Sequence, residues 1–269
     1  MKSTPFFKVV GSGNDFILLD CRRRSGPADP ARFARQWCDR KQGVGADGLL
    51  VVLPSAQASV RMRIFNPDGS EAAMCGNGLR CVAWYLAAGN GHRALTVQTR
   101  AGILSARVVR PERVRTFFGP PRNLRLGISL SHKGRKYLLH SVDTGVPHAV
   151  LIVSDLQKVD LRALGPHIRF HRRFRPAGAN VDLLRIESPR RISVRTYERG
   201  VEGETLACGT GAVACAVIGA ALGRLRPPVQ VRTAGGEVLT VDFRPGRHPW
   251  QDLSLEGPVR VLFEGRLGP

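Results

Sequence analysis

Apolar positions along this chain come mostly in short bursts. "FFKVV", "FILLD", "LLVVL" and "VRMRIF" in the first quarter, and "LTVQT" and "ILSARVV" further on, are rich in β-branched and aromatic residues and bounded by Gly, Pro and Asp. That pattern predicts strands. Two segments break the rhythm: "LRCVAWYLAAG" (79–89) and "AVACAVIGAALG" (212–223) run apolar with almost no polar face. Both are long enough for three helical turns and predict helices enclosed on most sides. The first is expected to stop at Gly89-Asn90 and the second at Gly223, residue types that accept the left-handed backbone of a helix end. A curved sheet wrapped round a central helix supplies the enclosure both helices need.

The bursts repeat. "GNDFILLD" around Asn14 pairs with "PHAVLIVSD" around His148, "GADGLL" with "GANVDLL", "RIFNPDG" with "RTYERG", Cys75 with Cys208, and "QTRAG" with "RTAGG", in one order at a spacing of about 133 residues. The chain therefore reads as a duplication of one α/β (α+β) unit. The expected domains are 1–117 and 118–256, with "FFGPPRNLRL" (117–126) as the linker and the last strand, within 257–269, returning to the first domain.

Composition narrows the function classes. The apolar fraction of 43% in 269 residues supports a buried core. "MKSTPFFKVVGSGNDF" lacks the apolar run of a signal peptide, and no stretch approaches the roughly 18 apolar residues of a membrane helix, so a cytoplasmic protein without membrane partners is expected. Six cysteines are too sparse for a disulfide scaffold, and no Cys-x-x-Cys or Cys-x-x-His pair points to a metal. The formal charge of +20 invites a nucleic-acid reading, yet arginine is scattered and no nucleic-acid motif accompanies it, so a solvated basic face is expected. "GVGADG" (43–48) has the letters of a dinucleotide loop but leads into a strand, which argues against that cofactor.

The candidate chemistry sits where each apolar helix begins. "AMCGNGLRC" and "ACGTGAVAC" each place a cysteine at a helix mouth, followed by glycines that leave backbone N–H groups uncovered. A thiolate is favoured there, and a carboxylate can approach closely. Two such thiols, on opposite sides of one small ligand held between the halves, suit removal of a proton from one face of a carbon and delivery to the other. No cofactor is required for that reaction. The repeat also shows where the halves differ: Glu198 and Arg199 stand where the first half has Asn66 and Pro67. Such a pair can hold an ammonium and a carboxylate at a spectator end of the ligand.

"GSGNDF", "GVGADGLL", "RIFNPDGSEAAMCGNGLRC", "GANVDLL" and "YERGVEGETLACGTGAVA" together resemble the diaminopimelate epimerase family over nearly the whole chain. That resemblance implies two duplicated domains, each a mixed, curved sheet or barrel round a central helix, with the active site in the interdomain cleft. It implies Cys75 as the base toward the L,L substrate and Cys208 as the acid, exchanging roles in reverse. It further implies substrate contacts from Asn14, Asn66, Asn180, Glu198 and Arg199 and from the backbone of Gly76, Asn77, Gly209 and Thr210, no cofactor, and a homodimer. The sequence departs from the family in Val146, where many members carry asparagine in "GNPH", and in Gly48, where some carry glutamine. Two alternatives stay open: another amino-acid racemase on the same scaffold, which usually has histidine where Asn77 stands, and a non-catalytic basic binding module.

Overall fold

The structure, a computed structural model, describes residues 3–91, 93–244 and 250–268, with Asn90 described by its backbone alone. The first part of the chain forms β1 (Thr4–Gly11), β2 (Asn14–Asp20), α1 (Pro30–Trp37), β3 (Gly48–Leu53), β4 (Val60–Phe65), the two-residue β5 (Glu71–Ala72), α2 (Gly76–Asn90), β6 (Ala94–Thr99), β7 (Gly102–Arg110) and β8 (Arg113–Phe117). The rest forms β9 (Arg122–His132), β10 (Arg135–Asp143), β11 (Pro147–Ile152), α3 (Leu161–Arg169), β12 (Asn180–Ser188), β13 (Arg191–Glu198), β14 (Gly203–Thr205), α4 (Gly209–Ala221), β15 (Val229–Arg232), β16 (Val238–Arg244) and β17 (Gln251–Leu267). The chain divides into two compact units, 1–116 with 257–269, and 117–256.

In the first unit the sheet runs β1-β2-β3-β4-β6-β7-β8, with β2–β3 and β4–β6 parallel and the other neighbours antiparallel. The end of β17 pairs with both β1 and β8, so the sheet closes on itself. Closure leaves α2 inside: Leu79, Val82, Ala83 and Leu86 pack on Val9, Phe16, Leu50, Val52, Val60 and Val97. Burial of such side chains contributes roughly 1.5–3 kcal/mol each. On the sheet's other face, Ala34 of α1 joins Ile17, Leu19, Leu49 and Val51. β3 is thus covered on both sides, which explains its unbroken apolar run.

The second unit repeats the plan. Its order is β9-β10-β11-β12-β13-β15-β16-β17, with β11–β12 and β13–β15 parallel. Residues 212–218 of α4 are all at 0% exposure, against Val142, Val150, Leu184, Val194 and Val231. Leu161, Leu164 and Ile168 of α3 cover the opposite face with Leu151, Val181 and Leu183.

α2 ends at Asn90, at the expected stop, with Gly91 as its left-handed cap at φ 73°. Two local readings change. The connection between units is only residues 118–121, because "RNLRL" already belongs to β9. α1 and α3 went unread although Asp29 and Asp160 cap them, each accepting a backbone N–H at 3.0 Å. At the second helix end, Gly223 is left-handed at φ 71°, as expected.

Candidate active site

Cys75 and Cys208 occupy the same position in their units. Each is the extended N-cap residue of its central helix (φ −141° and −115°), and each carbonyl accepts the first helical bond at 2.9 Å, from Leu79 and Ala212. Above the first turn of α2, a Cβ at Gly76 would meet nothing within 4 Å. Packing therefore does not require that glycine, and the space beside its Cα is open.

In the first unit Asn14, at the start of β2, and Asn77, in the first turn of α2, join directly: Asn77 Nδ2 donates to Asn14 Oδ1 at 2.6 Å. Asn14 Nδ2 in turn donates to Asp47 at 3.0 Å. Asn66 is exposed in the turn after β4, with its Nδ2 donating to Ser70 Oγ at 2.9 Å and its backbone closing the turn. A lattice of charges underlies the asparagines. Lys8 and Arg40 each approach Asp15 at 2.7 Å, and Arg40 also holds Asp47 at 2.8 Å. Although burial works against ionisation, these cations hold the Asp15 carboxyl down to about 2.

The second unit gathers a different set. Asn180 is buried at the start of β12, and its Oδ1 accepts the backbone N–H of Arg199 at 2.7 Å, so it orients the turn that carries Arg199. The half-buried Arg199 guanidinium has no protein partner among the described residues, as a carboxylate receptor requires. Burial pushes the Glu198 carboxyl up. His148 and Asp182 are both fully buried and joined at 2.7 Å, and Thr196 Oγ1 donates to the other carboxylate oxygen at 2.8 Å. Gly211 admits this carboxylate: a Cβ there would lie 2.4 Å from Asp182 Oδ1. Thr144 Oγ1 donates to the Thr210 carbonyl at 3.1 Å, tying the β10–β11 turn to the helix mouth.

One expectation is overturned at Cys208. Burial pushes this thiol well above the ordinary range, and the charges of Glu198 and Asp182 push the same way. The Thr210 hydroxyl, 3.4 Å from Sγ, and the Gly211 N–H oppose them without prevailing. A helix terminus is worth about 1 kcal/mol to a charge, whereas full desolvation shifts a pKa by up to several units. Burial therefore favours the Cys208 thiol over its thiolate.

The two departures also find places. Val146 is half-buried, and its carbonyl accepts the Thr144 N–H at 3.2 Å. Gly48 has no room for a side chain, since a Cβ would lie 2.9 Å from the Phe65 carbonyl. Two further residues matter here, Arg80 and Asp182, each a buried charge beside apolar neighbours in "GLRCVAW" and "NVDLLRI". A buried charge needs partners, and that was the available signal.

Two like units, each wrapping a helix that opens on Cys-Gly-x-Gly, give the chain a duplicated fold shared with several solved structures. In fold it matches a hydroxyproline epimerase from Agrobacterium vitis, solved with trans-4-hydroxy-L-proline, at a TM-score of 0.73, 16% identity, and coverage of 99% of this chain and 91% of that one. A PhzF-family phenazine biosynthesis protein from Bacillus anthracis matches at 0.73, 17% identity and 100% of both chains. The chain belongs to the diaminopimelate epimerase family, whose sequence profile matches residues 6–124 and 140–260. A diaminopimelate epimerase from Methanocella arvoryzae is 41% identical over 282 aligned positions, covering 99% of this chain and 98% of its own.

Proposed function

We propose that this chain interconverts L,L- and meso-diaminopimelate by proton transfer between two cysteines and the α-carbon, supplying the precursor of lysine and of peptidoglycan. Family membership supports the substrate. The observation that carries the chemistry is the pair of equivalent helix N-cap cysteines, Cys75 half-buried and Cys208 buried.

Inversion needs one thiol on each face of the carbon. Cys75, as thiolate, takes the α-proton of the L,L isomer, and Cys208, held as a thiol, gives its own proton to the opposite face. The enzyme is left with a Cys75 thiol and a Cys208 thiolate, the state that runs the reverse reaction. No electrons change hands, and the chemistry as written uses no cofactor. The N–H groups of Gly76, Asn77, Gly209 and Thr210 bind the α-carboxylate and stabilise the charge that develops as the proton leaves. Glu198 and Arg199 receive the distal ammonium and carboxylate, and Asn180 fixes the Arg199 turn. Asn14 and Asn66 add amide contacts from the first unit.

The reading extends to a cytoplasmic homodimer. No described helix is long and apolar enough to cross a membrane. The test is direct: incubate the reduced protein with L,L-diaminopimelate, and separately with L-proline and trans-4-hydroxy-L-proline, and resolve the stereoisomers by chiral chromatography. Conversion of diaminopimelate alone supports the reading; conversion of only a cyclic imino acid overturns it.

A further inference from the structure

Arg80 is the largest fully buried side chain, at 0% exposure, and the mechanism above gives it no part. It lies one turn into α2, three residues after Asn77. Its Nη2 donates to Asn77 Oδ1 at 2.5 Å and to Ser12 Oγ at 2.7 Å. Ser12 is a non-glycine residue at φ 52°, in the tight β1–β2 turn that delivers Asn14. The same guanidinium thus grips both elements that carry the amide pair.

Hydrogen-bond polarity then fixes both amides. A guanidinium only donates and a carboxylate only accepts. Arg80 at one end requires Asn77 to present its oxygen, so Asn77 Nδ2 faces Asn14 Oδ1. Asp47 at the other end requires Asn14 to present its nitrogen. Flipping either amide would set donor against donor or acceptor against acceptor. Among the described residues one hydrogen on each Nδ2 is used and one is left over. The duplicated unit supplies the control: where Asn77 is replaced by Thr210 and Asn14 by His148, the position of Arg80 is taken by the buried Val213. The arginine accompanies the amide pair, not the helix.

We propose that Arg80 and Asp47 are positioning residues that lock Asn77 and Asn14 so that their remaining N–H groups serve a carboxylate of the ligand. The inference rests on the substrate reading above. Asp47 is about one-third exposed at its side chain, so Asp47→Asn perturbs the end of the chain without opening the core. An asparagine there can donate or accept, and the fixed polarity is lost.

The test compares wild type with Asp47→Asn, Arg80→Lys and Arg80→Met in steady-state kinetics on diaminopimelate, with melting temperatures as the folding control. The expected result is a KM raised about tenfold in Asp47→Asn with kcat little changed, as loss of one charge-assisted contact implies. Arg80→Lys, which keeps a donor-only cation, should recover part of the KM lost in Arg80→Met. A KM within twofold of wild type in folded Asp47→Asn and Arg80→Lys overturns the proposal. An activity-independent arm follows the side-chain NH₂ signals of Asn14 and Asn77 in ¹⁵N NMR without ligand. Slowly exchanging signals in wild type that collapse in Asp47→Asn support the lock, and signals unchanged by the substitution overturn it. Failure of wild type to turn over diaminopimelate sinks the substrate reading and leaves the amide signals to judge the lock.

Discussion

Gly78 and Gly211 are equivalent positions in the duplicated helices, and the structure assigns them unequal tolerance for one methyl group. A Cβ at Gly211 would lie 2.4 Å from Asp182 Oδ1 and 3.1 Å from Thr196 Oγ1. Relief requires the carboxylate to move by roughly 1 Å to reach ordinary contact. That carboxylate is fully buried and tethered at 2.7 Å to His148 and 2.8 Å to Thr196, so the move stretches at least one tether beyond hydrogen-bond range. Each hydrogen bond to a charged group is worth about 1.5–3 kcal/mol, against about 1 kcal/mol gained by alanine in a helix. The net loss for Gly211→Ala is about 0.5–2 kcal/mol if one tether breaks and about 2–5 if both do. At about 2–4 °C per kcal/mol, the melting temperature falls by roughly 1–20 °C. At Gly78 the first atom met is Leu50 Cδ2 at 2.8 Å, the end of an apolar side chain with no hydrogen bond to lose. Overpacking of about 1–3 kcal/mol, less about 1 kcal/mol of helix gain, should lower the melting temperature of Gly78→Ala by no more than about 8 °C. Thermal denaturation followed by circular dichroism compares the two. Equal melting temperatures for both variants would refute the claim that the Asp182 carboxylate is locked against α4.

Other consequences can be checked alongside. Gly76→Ala meets no protein atom, so it should leave the melting temperature unchanged or slightly raised; on the proposed function KM for diaminopimelate rises, because the methyl would cover N–H groups proposed to bind the carboxylate. Arg199→Lys keeps the charge but loses the bidentate fork, and KM should rise about tenfold with little effect on folding. The raised Cys208 pKa makes a prediction for alkaline stability. A thiol whose folded pKa lies above its unfolded value stabilises fully below the ordinary thiol pKa of 9.0 and loses that contribution as pH climbs above it. Urea unfolding under reductant should therefore show wild type losing stability relative to the non-titrating Cys208→Ser from about pH 8 to pH 10.5. A constant difference would contradict a protonated, buried Cys208.

Much of this architecture was legible because it rests on period and repetition. The two helices without a polar face required enclosure, and the Cys-Gly-x-Gly segments marked their beginnings. What stayed hidden depends on contacts distant in sequence. α1 and α3 are short and pack on the outside of their sheets, so their apolar positions are few, and their capping aspartates were the only strong local sign. Asp182 reads as an ordinary polar residue until β13 brings Thr196, β11 brings His148 and Gly211 makes room for it. The same holds for Cys208: helix position favours its thiolate, and only three-dimensional burial beside Glu198 and Asp182 reverses the outcome. Asn66 shows the converse, since "NPDG" is a turn signal and the asparagine amide does bond within the turn.

The central claim is that Cys75 and Cys208 work as an acid–base pair from opposite faces of one carbon. The most direct test follows L,L- and meso-diaminopimelate in D₂O by NMR and chiral analysis, using wild type, Cys75→Ala and Cys208→Ala. The account expects wild type to invert the α-centre with deuterium incorporated into the product, and either single variant to lose inversion by several orders of magnitude. Inversion persisting at wild-type rate in either variant would contradict it.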